Sequence, residues 1–434
     1  MLDPDFARTY FEHLLRTEEF DACSLRQYQL ELLEGIIRHA YDTSPFYKER
    51  LAPLITKRGN VDLTHWDRVR LLTRDELREN RDALLSRAVP EDHGRFYRIS
   101  TSGTTGIPIS VTATRLTEAV RRAAVWRTHL NHGFDWSRQF AIALRRRSGQ
   151  ANWPEGSRAR LPWGPPWLTP PGPPRVQING ATSVDRIAEW LGRNGAKYFA
   201  SLPITLAAVA EEPSAVQLGL HKLLSFGMAV KAEHRETVRN RLGIDIVELY
   251  GSEDCGPIAH PCPEYGNLHV MSELLLIEIV DDGGKHCPAG ATGRVLVTAF
   301  HNFAQPIIRY EIGDVAAFGE PCACGRTHPV IGRIPGRSRD MFRRADGSKF
   351  TGYSIDGLFP PSLCVKWWQV AQTGAGKFEA RVVSSRDITA DDSSWVEHKL
   401  RQSWDWQADI SLKRLERIPY APGQKHIDFV YEAD

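Results

Sequence analysis

The chain has almost no surplus charge: 55 lysines and arginines stand against 53 aspartates and glutamates, a net charge of +2 over 434 residues. Such a balance leaves no electrostatic footprint for nucleic acid or an anionic membrane surface. Long apolar runs are missing as well, and none approaches the roughly 20 residues that a bilayer span requires. The start, Met1-Leu2-Asp3-Pro4-Asp5, lacks the basic and apolar regions of a secretory signal. A soluble cytoplasmic protein with neither a nucleic-acid nor a membrane partner is therefore expected. Cysteines number only seven, and in a reducing compartment clustered cysteines hold metal more often than they form disulfides. The chain shows no internal repeat.

What is present suffices for two or three domains with real cores, since 42% of the residues are hydrophobic. Residues 5–41 read as helical, with Leu25, Tyr28, Leu32 and Ile36 at spacings of three and four and Ser44-Pro45 as a stop. Thr73 and Glu76 fit a capping box, and another helix is expected over 117–129. The Pro-, Gly- and Trp-rich stretch 151–175 reads as irregular, either a rigid loop on a surface or a pocket wall. From Thr182 helices and strands alternate: helices over 187–191, 203–209 and 232–242, strands over 197–202, 223–226 and 244–250. That alternation implies a parallel or mixed sheet covered on both faces. Closely spaced strands follow at 274–280, 293–299, 307–310 and 315–318, as in an antiparallel region. Roughly 95 further residues hold about three strands and a helix or two. The expected fold class is α/β: a large N-terminal domain of mixed α/β sheets plus an antiparallel β-region, then a small mobile α+β C-terminal domain.

Four segments carry the chemistry. In Arg98-Ile99-Ser100-Thr101-Ser102-Gly103-Thr104-Thr105-Gly106-Ile107-Pro108-Ile109-Ser110-Val111, small residues lie between strand-like flanks. There the backbone can come close to an anion, and consecutive N–H groups and hydroxyls can donate to it. It is not the Gly-Lys-Ser/Thr P-loop, because Ile107 follows Gly106. The second segment is Glu248-Leu249-Tyr250-Gly251-Ser252-Glu253, a strand leading into a turn and a carboxylate. The third is Arg309-Tyr310-Glu311-Ile312-Gly313-Asp314, and the fourth is Gly336-Arg337-Ser338-Arg339-Asp340.

In this order the four segments resemble the adenylate-forming superfamily of acyl-CoA synthetases, luciferase-like enzymes and peptide-synthetase adenylation domains, most of all its phenylacetate-CoA ligase branch. The resemblance spans almost the whole chain and includes Leu25-Arg26-Gln27 through Ser44-Pro45-Phe46-Tyr47. It implies ATP-dependent activation of an aromatic carboxylic acid to an acyl-adenylate with release of pyrophosphate, then transfer to coenzyme A. The alternative is transfer to an amine, hydroxyl or other small nucleophile. By the same resemblance Thr101, Ser102, Gly103, Thr104, Thr105 and Gly106 would hold the β- and γ-phosphates, and Glu253 would hold Mg²⁺. Tyr250 and Gly251 would lie against the adenine, Ser252 would also bind the nucleotide, and the backbone at Gly227 of Ser225-Phe226-Gly227-Met228 would approach the adenine and the acyl group. Asp314 would take the ribose hydroxyls, and Arg337 would add positive charge. Residues 1–337 would form the adenylation domain and 338–341 the hinge, with Arg339 at its pivot. Residues 342–434 would carry the catalytic lysine, Lys425, after Ile418-Pro419 and Gly423-Gln424. Three positions depart from the family pattern: Ile107 where lysine is common, Arg339 where Asp or Lys is usual, and Gln424 between Gly423 and Lys425. Trp126, Phe134, Trp136 and the 151–175 stretch could line an aromatic pocket, though core packing explains them as readily. A homodimer is the default expectation for such an enzyme.

His260-Pro261-Cys262 and Cys322-Ala323-Cys324 each place two ligand atoms two residues apart, on one side of an extended backbone. Three thiolates and an imidazole suit structural zinc, and Cys255 is a substitute for His260. Some members of the phenylacetate-CoA ligase branch resemble this, with a segment like Cys322-Ala323-Cys324-Gly325-Arg326. The competing reading is free cysteines packed as small hydrophobes.

Overall fold

The computed structural model of the protein describes residues 4–100, 110–144, 150–281, 283–333, 341–344, 346, 349–351, 357–404, 408–418 and 429–432. The expected helix over 5–41 is two helices, Pro4–Thr17 and Ala22–Thr43. The break comes at Asp21, whose carboxylate accepts from the Ser24 amide at 2.7 Å and caps the second helix. That helix buries Leu25, Gln29, Leu33, Ile36, Ile37 and Ala40, so Tyr28 and Leu32 lie at the margin of the stripe rather than along it. The capping box at Thr73 and Glu76 forms as expected, and helix Arg115–Asn131 covers the predicted 117–129.

Two large sheets make the body. The first has six strands in the order Ser157–Pro162, Pro174–Asn179, Phe140–Leu144, Tyr198–Ser201, Lys222–Ser225 and Ile246–Glu248. All neighbours are parallel except the first pair. Its intervening helices, Val184–Arg193, Pro203–Glu211 and Ala232–Leu242, follow the predicted alternation. The Pro-rich stretch departs from expectation, because Ser157–Pro162 forms an edge strand there, a place where proline is tolerated. The rest of that stretch wraps Trp136: a Cβ on Gly164 would lie 2.8 Å from Trp136 Cβ, and one on Gly172 would lie 2.0 Å from Trp136 O.

The second sheet is antiparallel, in the order Leu275–Val280, Gly293–Ala299, Ile307–Phe318, Val330–Arg333, Leu268–Val270, Gly256–Pro261 and Tyr250–Ser252. Ile307–Phe318 is one long strand where two were expected, bent by a bulge that sets Arg294 opposite Val315 but Leu296 opposite Glu311. The predicted strand 244–250 is split in the other sense. Its first part ends the parallel sheet, Leu249 crosses over, and Tyr250 begins the antiparallel sheet. The chain therefore passes between sheets within the motif that ends in Glu253. Strands Phe96–Ser100 and Ser110–Thr114 pair antiparallel around the Gly-rich segment. Near the C-terminus a four-stranded sheet of Asp409–Arg414, Lys377–Ser384, Val365–Gly374 and Phe429–Tyr431 packs on helix Ala390–Trp404. It has its own core, which includes Trp368, Phe378, Val396 and Leu400. Among the described residues no helix is long and apolar enough to cross a membrane.

Candidate active site

The parallel strands of the first sheet end at Asn179, Leu144, Ser201, Ser225 and Glu248, and in open α/β sheets ligands bind beyond such carboxyl ends. Two of the motif segments meet there. Tyr250 Oη donates to Asp314 Oδ2 at 3.1 Å across 64 residues of sequence. Asp314 reaches this position because it sits in the bulge of the long strand, next to Gly313 at φ +79°; bulges commonly re-aim a side chain in this way. Gly251 has no room for a side chain, since a Cβ would lie 2.8 Å from Gly256 O. The turn that follows presents Glu253 to solvent. Arg121 holds it from behind, with Nη2 donating to Asp254 O at 2.8 Å and Nη1 to Glu253 O at 3.5 Å. Ser252 Oγ accepts from the Cys255 amide at 3.0 Å, and Tyr310 Oη donates to the buried Asp254 at 3.0 Å. Burial, reinforced by Asp254, drives the Tyr310 phenol well above its ordinary range.

Arg309, in the same motif, is architectural. Its Nη2 lies 3.0 Å from Glu278 Oε1, its Nη1 donates to Val69 O at 2.6 Å, and its φ is +50°. It ties the long strand to the segment before helix Arg74–Glu79. Gly227, at φ +77°, follows strand Lys222–Ser225, and a Cβ there would lie 3.3 Å from Leu202 Cδ2. Thr101, Ser102, Gly103, Thr104, Thr105, Gly106, Arg337, Arg339 and Lys425 lie outside the described residues.

Beside this cluster is a cavity of about 520 Å³, with Leu249, Pro257 and Phe226 on its wall. Trp126, His129, Phe140 and Trp163 also line it, so Trp126 and the Pro/Trp-rich stretch do form an aromatic wall. Phe134 packs behind, 4.7 Å from the Tyr198 ring centroid. Four arginines, Arg121, Arg122, Arg160 and Arg175, border it along with Glu118. Arg121 is committed to the carbonyls above, and Arg122 pairs with Glu118 at 3.0 Å.

The metal-type cluster comprises Cys262, His269, Cys322 and Cys324, whose ligand atoms all lie within 4.8 Å of one another. His269, not His260, is therefore the fourth member. The two histidines are cross-strand partners, but strand Leu268–Val270 lies between Gly256–Pro261 and Val330–Arg333. His269 is thus one strand nearer the loop that carries Cys322 and Cys324. Its Nε2 is 3.4 Å from Cys324 Sγ, while Nδ1 faces His328 O at 3.4 Å, the outer contact that orients a ligating imidazole. Burial lowers His269 to about 4, so it is neutral and able to ligate at pH 7. Burial also holds His260 neutral, well below its ordinary range. Cys255 belongs elsewhere, and burial pushes its thiol up to about 12. Zinc–sulfur bonds of about 2.3 Å put tetrahedral thiolates roughly 3.8 Å apart, inside the 4.8 Å within which all four ligand atoms lie.

No family model matches the chain. It is 38% identical over 112 residues to the phenylacetate-coenzyme A ligase of Thermus thermophilus, a match spanning 25% of this chain and 25% of that protein. To the enzyme of the same name from Pseudomonas putida it is 25% identical over 349 residues, which is 75% of this chain and 73% of that one. In three dimensions it is similar to 2-hydroxyisobutyryl-CoA ligase, solved with its acyl-AMP and CoA in the thioesterification state, with a TM-score of 0.64 at 18% identity over 96% of this chain and 92% of that one. The same enzyme in a postadenylation state gives 0.57 at 19% identity over 93% and 88%. These structures share the mixed α/β fold described above.

Proposed function

We propose that this chain, a homologue of the phenylacetate-coenzyme A ligases with structural neighbours in the adenylate-forming superfamily, activates an aromatic carboxylic acid with ATP and passes the acyl group to coenzyme A. One observation carries the reading: the hydrogen bond from Tyr250 to Asp314 unites two distant motif segments beside Glu253 and an aromatic-walled cavity. In this scheme the substrate carboxylate lies in the cavity and attacks the α-phosphorus of ATP. The bond to the bridging oxygen breaks, and pyrophosphate leaves. Protein catalysis of such a step is largely positioning and charge neutralisation. Asp314 would accept from the ribose hydroxyls, held in place by Tyr250, and Thr101 to Gly106 would donate to the outer phosphates. Glu253 would hold Mg²⁺, a hard cation that neutralises phosphate charge. Arg337 and Lys425 would add positive charge at the reacting groups, Arg339 would serve as the pivot between residues 1–337 and 342–434, and the enzyme would work in the cytoplasm.

The test is ATP–pyrophosphate exchange over a panel of aromatic acids, with and without CoA. Acid-dependent exchange followed by acyl-CoA formation and AMP release is expected. Exchange that leaves acyl-adenylate with no thioester would move the acceptor to an amine or hydroxyl, and no exchange with any acid would end the adenylation reading.

Cys262, His269, Cys322 and Cys324 would hold a structural zinc that staples the hairpin after Glu253 to the loop after Asp314, with no role in the reaction itself. Purified protein should contain about one zinc per chain. Cys322→Ser and His269→Ala should each drop the zinc content by most of that amount, whereas His260→Gln should retain it. Equal loss in all three variants would overturn the ligand set.

A further inference from the structure

His129 is a titratable side chain set among the aromatic rings of the cavity wall. It is 5% exposed, with ring centroids 4.8 Å from Phe134, 5.8 Å from Phe140 and 5.3 Å from Trp163. Its Nδ1 is enclosed and has no hydrogen-bond partner among the described residues, which leaves Nε2 as the ring nitrogen that can meet a ligand in the cavity. Burial lowers its pKa to about 3, so the ring is neutral throughout the physiological range and carries one donor and one acceptor. A phenylalanine would fill this aromatic box without leaving a buried polar atom unpaired, an arrangement that has a real free-energy cost. The imidazole is therefore an expensive choice for packing and a sensible one for recognition.

We propose that His129 is a specificity-determining residue that hydrogen-bonds a hydroxyl on the ring of the aromatic acid, so that the substrate class is a hydroxyaryl carboxylic acid. This rests on the cavity being the acyl site of the adenylation reading. A phenolic hydroxyl both donates and accepts, and so matches either tautomer of a neutral imidazole. A ring carboxylate gains no charge from a histidine that stays neutral. Of the four arginines around the cavity, Arg121 already serves the Glu253 turn and Arg122 pairs with Glu118, so Arg160 and Arg175 are the ones that would meet a ring carboxylate, the competing outcome that the para-carboxy acids test. A site that hydrogen-bonds a substrate hydroxyl discriminates strongly against the analogue lacking it, because its own polar group is then left unpaired.

The experiment compares benzoate and phenylacetate with their meta- and para-hydroxy and para-carboxy derivatives, in wild type, His129→Phe and His129→Asn. Pyrophosphate exchange gives kcat/KM, and calorimetry gives binding of each acid to the enzyme without ATP. Wild type should favour one hydroxylated acid over its parent by about 10- to 100-fold. His129→Phe should bring that ratio to within about threefold of unity by weakening the hydroxylated acid far more than its parent, and His129→Asn, which keeps a donor and an acceptor, should retain part of it. An unchanged ratio in His129→Phe, a uniform loss across all acids in both variants, or preference for the carboxylated ring overturns the proposal. Absence of exchange with every acid rejects adenylation, and calorimetry still decides the hydroxyl preference: equal or absent binding of parent and hydroxylated acids rejects it too.

Discussion

Glu253→Gln should lower acid-dependent pyrophosphate exchange by about 100-fold or more, because the change keeps the side chain's shape and removes the charge proposed to hold Mg²⁺ against the phosphates. The fold should hardly notice. Glu253 is exposed, and the turn that presents it is held through its backbone by Arg121 and by the contacts of Ser252 and Asp254. Melting temperature should therefore match wild type, and the Mg²⁺ concentration for half-maximal rate should rise. An exchange rate within about threefold of wild type at ordinary Mg²⁺ would remove Glu253 from the site. Asp314→Ala should act differently, raising KM for ATP more than it lowers kcat, since a ribose contact serves binding in ground and transition states alike.

Much of this site is legible in the sequence, because glycine and the carboxylates mark backbone geometry and charge locally. Gly251 and Gly313 stand where the chain must pass close to another strand or adopt positive φ. Glu253 and Asp314 follow them at short range. The alternation of helix and strand after Thr182 is equally clear, since short apolar runs such as Tyr198–Ser201, buried throughout, are spaced by helical segments such as Val184–Arg193. What escapes a reading of the sequence is whatever depends on lateral strand order. His260 and His269 are indistinguishable as sequence neighbours of Cys262 until the strand that carries His269 is found between the other two. The hairpin turn from Cys262 to Gly266, where Gly266 N donates to Cys262 O, is the available signal that a second histidine faces the first. The long strand through Asp314 reads as two because its bulge interrupts the period of two at Gly313. His129 gives no sign of itself in a good helix, where nothing local separates a pocket histidine from a packed one. The stretch 157–162 reads as irregular because proline excludes regular pairing in the middle of a sheet but not at its edge.

The largest effect on stability is expected from Glu273→Gln. Glu273 is fully buried and accepts from Arg127 Nη1 at 2.5 Å, Arg127 Nη2 at 3.3 Å and Thr17 Oγ1 at 2.5 Å, with His328 Nε2 at 3.7 Å. Arg127 in turn donates to Leu14 O at 3.0 Å and lies 3.4 Å from Glu18. The ion pair thus joins the first helix, the helix after the Gly-rich segment and the hairpin that carries His269. Burial by itself would raise the Glu273 pKa, but Arg127 and the other partners override it and hold the carboxyl well below its ordinary range. A carboxylate depressed in the folded state stabilises the fold above its unfolded pKa of about 4.5, and that stabilisation is lost as pH falls through the folded value. Glu273→Gln leaves Arg127 buried without its main partner, a loss of about 3–5 kcal/mol for pairs of this kind. At pH 7 the melting temperature should fall by several degrees. Below about pH 4.5 the gap to wild type should narrow, because only wild type still has this group to protonate. The double variant Glu273→Gln, Arg127→Met should recover much of the loss, since the penalty lies in the stranded charge rather than in the missing attraction. A single variant as stable as wild type at pH 7, or a double variant no better than the single, would contradict this account of what clamps the two helices to the candidate metal centre.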